Sequence, residues 1–352
     1  MNTKWHDFLL NNGAEYADSQ LIHFGNPERE RRASDNGLVI SDLSHLCLIK
    51  ATGADARPFL QGQLTNNIDE IADENSQLSG YCNQKGRLLA CFRIFQNQDN
   101  LYLSVPEELY EDTFKRLRMY VMRSDVEFTN CSEDEISIGF SGPDANTELN
   151  KHYEHIPQEA DQVTHLDSIS IIKLAGIQPR YQISGPVDLI KELWQKLDVN
   201  ATPVGEDVWN LLEIRAGIPN IYSQTIESFV PQMVNLELIN GVSFKKGCYT
   251  GQEIVARMHY LGKLKRRMYR IQIDTLESVQ PGTPLFSPNS TSGQGTGNIV
   301  VAAPSSDKGT EALAVIQISE SENTELKLND ADGASIKILE IPYEFPVQEP
   351  KD

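Results

Sequence analysis

Phe244-Lys245-Lys246-Gly247-Cys248-Tyr249-Thr250-Gly251-Gln252-Glu253 is the stretch whose reading governs the rest of the chain. Thr250 followed three residues later by Glu253 has the form of a capping box, which predicts a helix beginning at Gly251. Ile254, Val255 and Met258 would form its apolar side. Gly247 and Gly251 let the backbone bend sharply or be approached closely. Cys248 precedes that helix N-terminus and has Lys245 and Lys246 beside it. Dipole and cations both favour the thiolate, so an exposed Cys248 would be an activated thiol. The same spacing also fits a glycine-bounded turn around a buried, inert cysteine, because free cysteine commonly packs as a small core residue.

Working outward, the charge is uneven. The 352 residues carry a net charge of −19, which argues against coating nucleic acid by general electrostatics. Between Ser243 and Arg270, however, stand Lys245, Lys246, Arg257, Lys263, Lys265, Arg266, Arg267 and Arg270 against the single acid Glu253. That window of +7 leaves −26 for the remainder, so it is either a candidate anion site or a solvated basic helix end and strand. The five cysteines (Cys47, Cys82, Cys91, Cys131, Cys248) form no CxxC pair and no ligand-like spacing with histidine. No metal is expected, and free thiols suit a reducing compartment, the cytoplasm. No apolar run reaches the roughly 20 residues of a membrane span, and Trp5, His6 and Asp7 make the start unlike a secretory signal.

The chain exceeds what one core usually serves, so two or three domains are expected. Strand-like runs at Cys47–Ala51, Leu88–Phe95, Leu101–Val105, Ile136–Phe140, Ile169–Leu174 and Arg180–Ile183 alternate with helical periodicity. The helices are predicted through Ala56–Leu60 (capped by Thr52 or Asp55), over Glu107–Met122, over Val187–Leu197 and over Val208–Ala216, the last closed by Gly217 and Pro219. This is an α+β pattern. After Arg267 the texture becomes all-β, with runs at 269–273, 297–302, 312–318 and 335–341. A small C-terminal barrel or sandwich is predicted, with 284–297 as a hairpin loop.

Lys246 to Glu253 resembles the signature of the YgfZ family of folate-binding proteins, relatives of the aminomethyltransferase (T-protein) of the glycine cleavage system. Phe229-Val230-Pro231-Gln232, Asn235-Leu236 and Gly241 to Phe244 resemble its lead-in, and Trp209 through Pro219 resembles a Trp-bearing helix. Thr52 to Asp55, Phe59 to Asn66 and Asn83 to Leu88 resemble blocks shared with T-proteins. The resemblance implies a three-domain T-protein-like (GcvT-like) fold around a central folate cleft with a C-terminal small β-barrel. The expected divisions are 1–50 with 200–265, then 51–199 (ferredoxin-like), then 266–345. It implies a tetrahydrofolate-binding accessory protein, or one binding a one-carbon folate derivative, that supports iron–sulfur enzymes and through them tRNA thiolation. Cys248 would be its functional thiol, and its partners would be iron–sulfur assembly proteins or client enzymes. The implied folate contacts are Trp209, Leu46, Tyr249 and Gln252, with Arg257, Lys263 and Lys265 for the polyglutamate tail.

The sequence departs from relatives in three places. Gly86-Arg87-Leu88-Leu89-Ala90-Cys91 has no carboxylate where a T-protein carries its Asp, so aminomethyltransferase activity is not expected. Leu46 stands where the family often has Trp, and Arg215 where relatives usually have Glu. Two further readings stay open: a folate-dependent one-carbon transferase or demethylase, and a direct, weak tRNA binder using Lys263, Lys265, Arg266 and Arg267.

Overall fold

The computed structural model describes residues 2–18, 20–288, 295–307, 309–322 and 325–346. Six of the fourteen residues of the expected 284–297 loop, 289–294, lie outside that range, and Pro284–Phe286 within it is a strand and not loop.

Three larger sheets organise the chain. The first has the spatial order Val163–Leu166, Ile169–Leu174, Arg180–Pro186, Glu135–Ser141, Val39–Asp42, Thr202–Val204, antiparallel except for its last pair. The second runs Ser76–Cys82, Leu88–Asn97, Asn100–Pro106, Leu46–Thr52, Glu127–Asn130, all antiparallel. The predicted hairpin is here, closed more tightly than expected by Gln98 and Asp99, with Gln98 at φ 55°. The third runs Lys327–Leu328, Pro284–Phe286, Gly297–Ser305, Gly309–Gln317, Arg266–Ile273, Ile336–Leu339. It curls into a half-barrel, and a bridge between Lys327 and Ser335 brings its two edges together.

The helix Glu206–Ala216 is the pillar between these sheets, and it is apolar on several sides because it touches all of them. Leu211 and Ile214 join the core of the second and third sheets, with Leu103, Val300 and Leu313. Val208, Trp209 and Leu212 pack instead with Leu48, Phe95 and Ile172 between the first and second. Gly217, at φ 68°, ends the helix in the left-handed cap that its sequence predicts. Trp209 lies flat over Gly139, where a Cβ would come within 2.4 Å of the indole. The Arg180 guanidinium stands 5.3 Å from the same ring and pairs with Glu213 at 3.2 Å. At the far end, Glu311 is 4% exposed and accepts from Arg215 (2.9 Å) on one oxygen and Arg270 (2.7 Å) on the other. Arg215 also reaches Asp35 at 2.7 Å. This clamp binds the helix to the C-terminal sheet.

Two local expectations are corrected. Helix Gln252–Tyr260 starts from Gly251, whose φ of 84° makes it the N-cap, and no side chain caps it, so the Thr250–Glu253 box does not form. Asp55 precedes helix Ala56–Gln61 without capping it, because its carboxylate accepts from the Asp125 backbone N–H. Among the described residues no helix is long and apolar enough to cross a membrane.

Candidate functional site

A cavity of about 1160 Å³ opens where the N-terminal segment, the first two sheets, the pillar helix and the third sheet meet. Its walls come from segments far apart in sequence: His6 and Tyr16; Asp42, Ser44, His45 and Leu46; Glu107 and Glu108; Glu206, Asp207 and Asn210; Tyr222; and Leu276 to Pro281 with Val301 to Pro304. A pocket of about 230 Å³ adjoins it, sharing Ser44, Leu46 and Glu107 and adding Cys47, Tyr110 and Glu111. Ser44, Leu46 and Glu107 therefore stand between two chambers, with Leu46 as the apolar one of the three.

The cavity is acidic. Asp18, Asp42, Glu107, Glu108, Glu206, Asp207 and Glu277 line it with His6 and His45, and no lysine or arginine appears among its described lining residues. Asp42, 5% exposed at the end of strand Val39–Asp42, accepts from Trp5 Nε1 (2.8 Å) and Ser44 Oγ (2.7 Å). Burial raises its carboxyl above the ordinary range, against the pull of those bonds and of His45. Burial also raises the phenols of Tyr16 and Tyr222, helped by Asp42 at the first and by Glu206 and Glu108 at the second. Both hydroxyls thus stay protonated at neutral pH. The site offers carboxylate acceptors, phenolic donors and an apolar partition at Leu46, a set suited to a flat ligand rich in N–H donors.

The Lys245–Glu253 motif lies elsewhere, against the second sheet. Lys246, 9% exposed, donates to three carbonyls: Gln61 (2.8 Å), Leu64 (2.6 Å) and Asn66 (2.7 Å). Its ammonium stands 5.2 Å from the buried Tyr249 ring. Gly251 presses on the Asn83–Gly86 turn so closely that a Cβ would lie 2.3 Å from the Asn83 carbonyl. Gln232 holds the helix behind it, donating to the Val255 carbonyl at 2.7 Å. Phe244 stacks on His259 with centroids 3.7 Å apart. Gly247 meets nothing within 4 Å of an added Cβ, and Cys248 next to it is exposed. The other four cysteines are buried.

Leu46 lines the cavity; Trp209, Tyr249, Gln252, Cys248, Arg257, Lys263 and Lys265 are not among its lining residues. Trp209 is 1% exposed and faces Gly139 and Arg180, although its helix neighbours Asp207 and Asn210 reach the cavity. The +7 window is also partly internal. Lys246 is spent on carbonyls, Arg267 on Asn235 and Glu237, Arg270 on Glu311, and Arg266 donates to the Gly295 carbonyl. Lys245, Arg257, Lys263 and Lys265 remain exposed. Arg215 belongs to the Glu311 clamp. Asp42, Tyr16, Tyr222 and the Glu206–Asp207 pair escaped sequence reasoning. The one hint was an Asp closing the apolar run at Val39 and Ile40, because a carboxylate there needs partners or a cavity.

Residues 9–184 match the family model of the GCVT N-terminal domain, half of the chain. The tRNA-modifying protein YgfZ of Colwellia psychrerythraea is 35% identical over 229 residues, 65% of this chain and 69% of that protein. Its counterpart in Aliivibrio fischeri (strain MJ11) is 31% identical over 305 residues, 87% of this chain and 92% of that protein. In three dimensions the chain resembles the glycine cleavage system aminomethyltransferase T of Bartonella henselae, with a TM-score of 0.77 at 14% identity, covering 97% of both chains. The fold is accordingly GcvT-like, and by descent the chain belongs to the YgfZ family.

Proposed function

We propose that this protein binds a reduced folate, tetrahydrofolate or a one-carbon derivative, in the acidic cavity and acts as an accessory protein in tRNA modification. The observation that carries the folate half is the cavity itself. Its size exceeds that of an ordinary small-ligand pocket, and its carboxylates face a space that Leu46 bounds with apolar surface. A pterin presents amide and amino N–H donors on one edge, for which Asp42 and Glu206 supply acceptors, while its faces require an apolar wall. The residues present fit the group. The tRNA half rests on the names of the YgfZ relatives.

Cys248 is the reading's second element. It is the exposed thiol among five, in a loop that Lys246 and Gly251 fix on either side. One cysteine cannot hold an iron–sulfur cluster, which usually needs four ligands, and no group of side chains suited to a metal occurs among the described residues. Its role is a transient contact or adduct with an iron–sulfur assembly protein or client enzyme. The exposed Lys245, Arg257, Lys263 and Lys265 flank that loop in sequence and favour, as a second reading, direct contact with tRNA phosphates.

A titration with tetrahydrofolate, followed by tryptophan emission, tests the first half. Trp5 is the reporter, since it is bonded to Asp42. Saturable quenching that falls in Trp5→Phe and whose midpoint weakens in Leu46→Glu supports the reading; no quenching with any reduced folate, together with no heat when the same titration is run in a calorimeter, refutes it. For the second half, tRNA thiolation in a deletion strain should be restored by the wild type and not by Cys248→Ser. Full restoration by the serine variant removes the thiol from the account.

A further inference from the structure

Resting on the folate reading of the cavity, we infer that the site discriminates tail length: it takes folates with one glutamate and disfavours those extended by further γ-glutamyl residues. A folate is a ring joined to a tail, and each added γ-glutamyl unit brings one more carboxylate. The acceptor-rich interior, with buried Asp42 and half-buried Glu206, suits the ring. The tail must then leave past the exposed lining residues, where the carboxylates Asp18, Glu107, Glu108, Asp207 and Glu277 stand among neutral side chains such as Gln20, Gln224, Leu276 and Gln280, with no described lysine or arginine. Glu108 is already engaged by the Ser223 backbone N–H at 2.9 Å and its hydroxyl at 2.9 Å, contacts that leave its charge in place. Arg31 offsets Asp207 from outside the lining. The bases that a polyglutamate chain would seek, Arg257, Lys263 and Lys265, are not part of the cavity wall.

The magnitude follows from screening. At about 0.1 M salt the Debye length is about 10 Å, so successive tail carboxylates leaving the mouth fall within reach of several rim carboxylates. Exposed like charges at such separations each weaken binding modestly, and four extra tail carboxylates together give a roughly three- to tenfold loss at low salt.

The experiment is calorimetric titration of the full chain with tetrahydrofolate monoglutamate and with its pentaglutamate, at about 20 mM and about 500 mM sodium chloride. The expected result is a pentaglutamate roughly three- to tenfold weaker at low salt, with the gap closing at high salt. Glu277→Lys, on the Leu276–Gln280 segment of the rim, should narrow the pentaglutamate-to-monoglutamate ratio at low salt. A pentaglutamate that binds as tightly as the monoglutamate, or more tightly, at low salt overturns the inference while leaving the folate reading intact. Failure of both ligands to bind overturns the folate reading, and the inference with it.

Discussion

Lys246→Met removes a cation whose three donors match three backbone carbonyls at the end of the Ala56–Gln61 helix and the turn after it. Methionine nearly conserves volume, so the loss is mainly of hydrogen bonds. A buried carbonyl left without its donor costs about 1–3 kcal/mol, and hydrogen bonds to a charged group are at the strong end. Three such groups would sum higher, but Lys246 is 9% exposed and water will reach some of them. We therefore expect about 3–5 kcal/mol of destabilisation. The assay must look in the right place. Trp5, Trp194 and Trp209 sit in cores that exclude the 61–66 segment, so tryptophan emission alone could miss a local opening. Urea unfolding by far-ultraviolet circular dichroism, with amide exchange over residues 61–66 and 244–251, reports it directly. Lys246→Arg keeps the charge but spreads its donors in a plane, and should lose less than the methionine variant. A loss under about 1 kcal/mol with unchanged exchange protection would mean that the carbonyls are already served by water and that the lysine does not hold the motif. The pH dependence has a definite sign. Burial pulls the Lys246 ammonium down to about 8 from its ordinary 10.5, with Asp69 opposing. Between those values the unfolded chain binds more protons at this residue, so its share of stability rises with pH there.

Three further outcomes can be checked independently. In native protein one thiol, Cys248, should react rapidly with a disulfide reagent and all five after denaturation; two or more fast thiols would contradict the burial of the others. Glu311→Gln leaves Arg215 and Arg270 short of their shared charge and should cost about 3–5 kcal/mol in urea unfolding, whereas a change within about 0.5 kcal/mol would show the clamp to be dispensable. Asp42 holds its proton to higher pH in the fold than in the unfolded chain, so its share of stability falls as pH rises from about 3.8 through the raised value. Asp42→Asn should therefore gain stability relative to wild type as pH rises across that interval, and a difference that does not vary with pH would show the carboxyl to be unshifted.

The elements were legible wherever local period and punctuation agreed. The Leu88–Asn97 and Asn100–Pro106 hairpin, helix Glu107–Val121 and the pillar helix with its Gly217 cap all fall within a few residues of expectation. The family was legible through the resemblance of eight consecutive residues, Lys246 to Glu253, and the identity to relatives over most of the chain bears it out. What did not show was the partition of roles. Thr250 and Glu253 have capping-box spacing, yet Gly251 takes the N-cap because its positive φ lets the backbone press on the Asn83 turn, a contact 168 positions away in the chain. From its helix alone Trp209 reads as a core aromatic, and only the resemblance makes it a ligand wall; Gly139, whose missing side chain makes the slot, seats it in the core. The cavity was invisible for a deeper reason. Its carboxylates come from at least five separate segments, and no local pattern announces that Asp42, Glu107, Glu206 and Glu277 face one space.

The seat of Trp209 on Gly139 also constrains how this chain can drift. At 2.4 Å any side chain at 139 collides with the ring, so Gly139→Ala is forbidden while the tryptophan stands, and shrinking the tryptophan first would open a void. Each step alone should be harmful, and the pair together should cost less than the sum of the two. The two positions are therefore an epistatic unit: lineages that replace one should have replaced the other, and a library that varies them singly will see only losses where a joint library finds solutions.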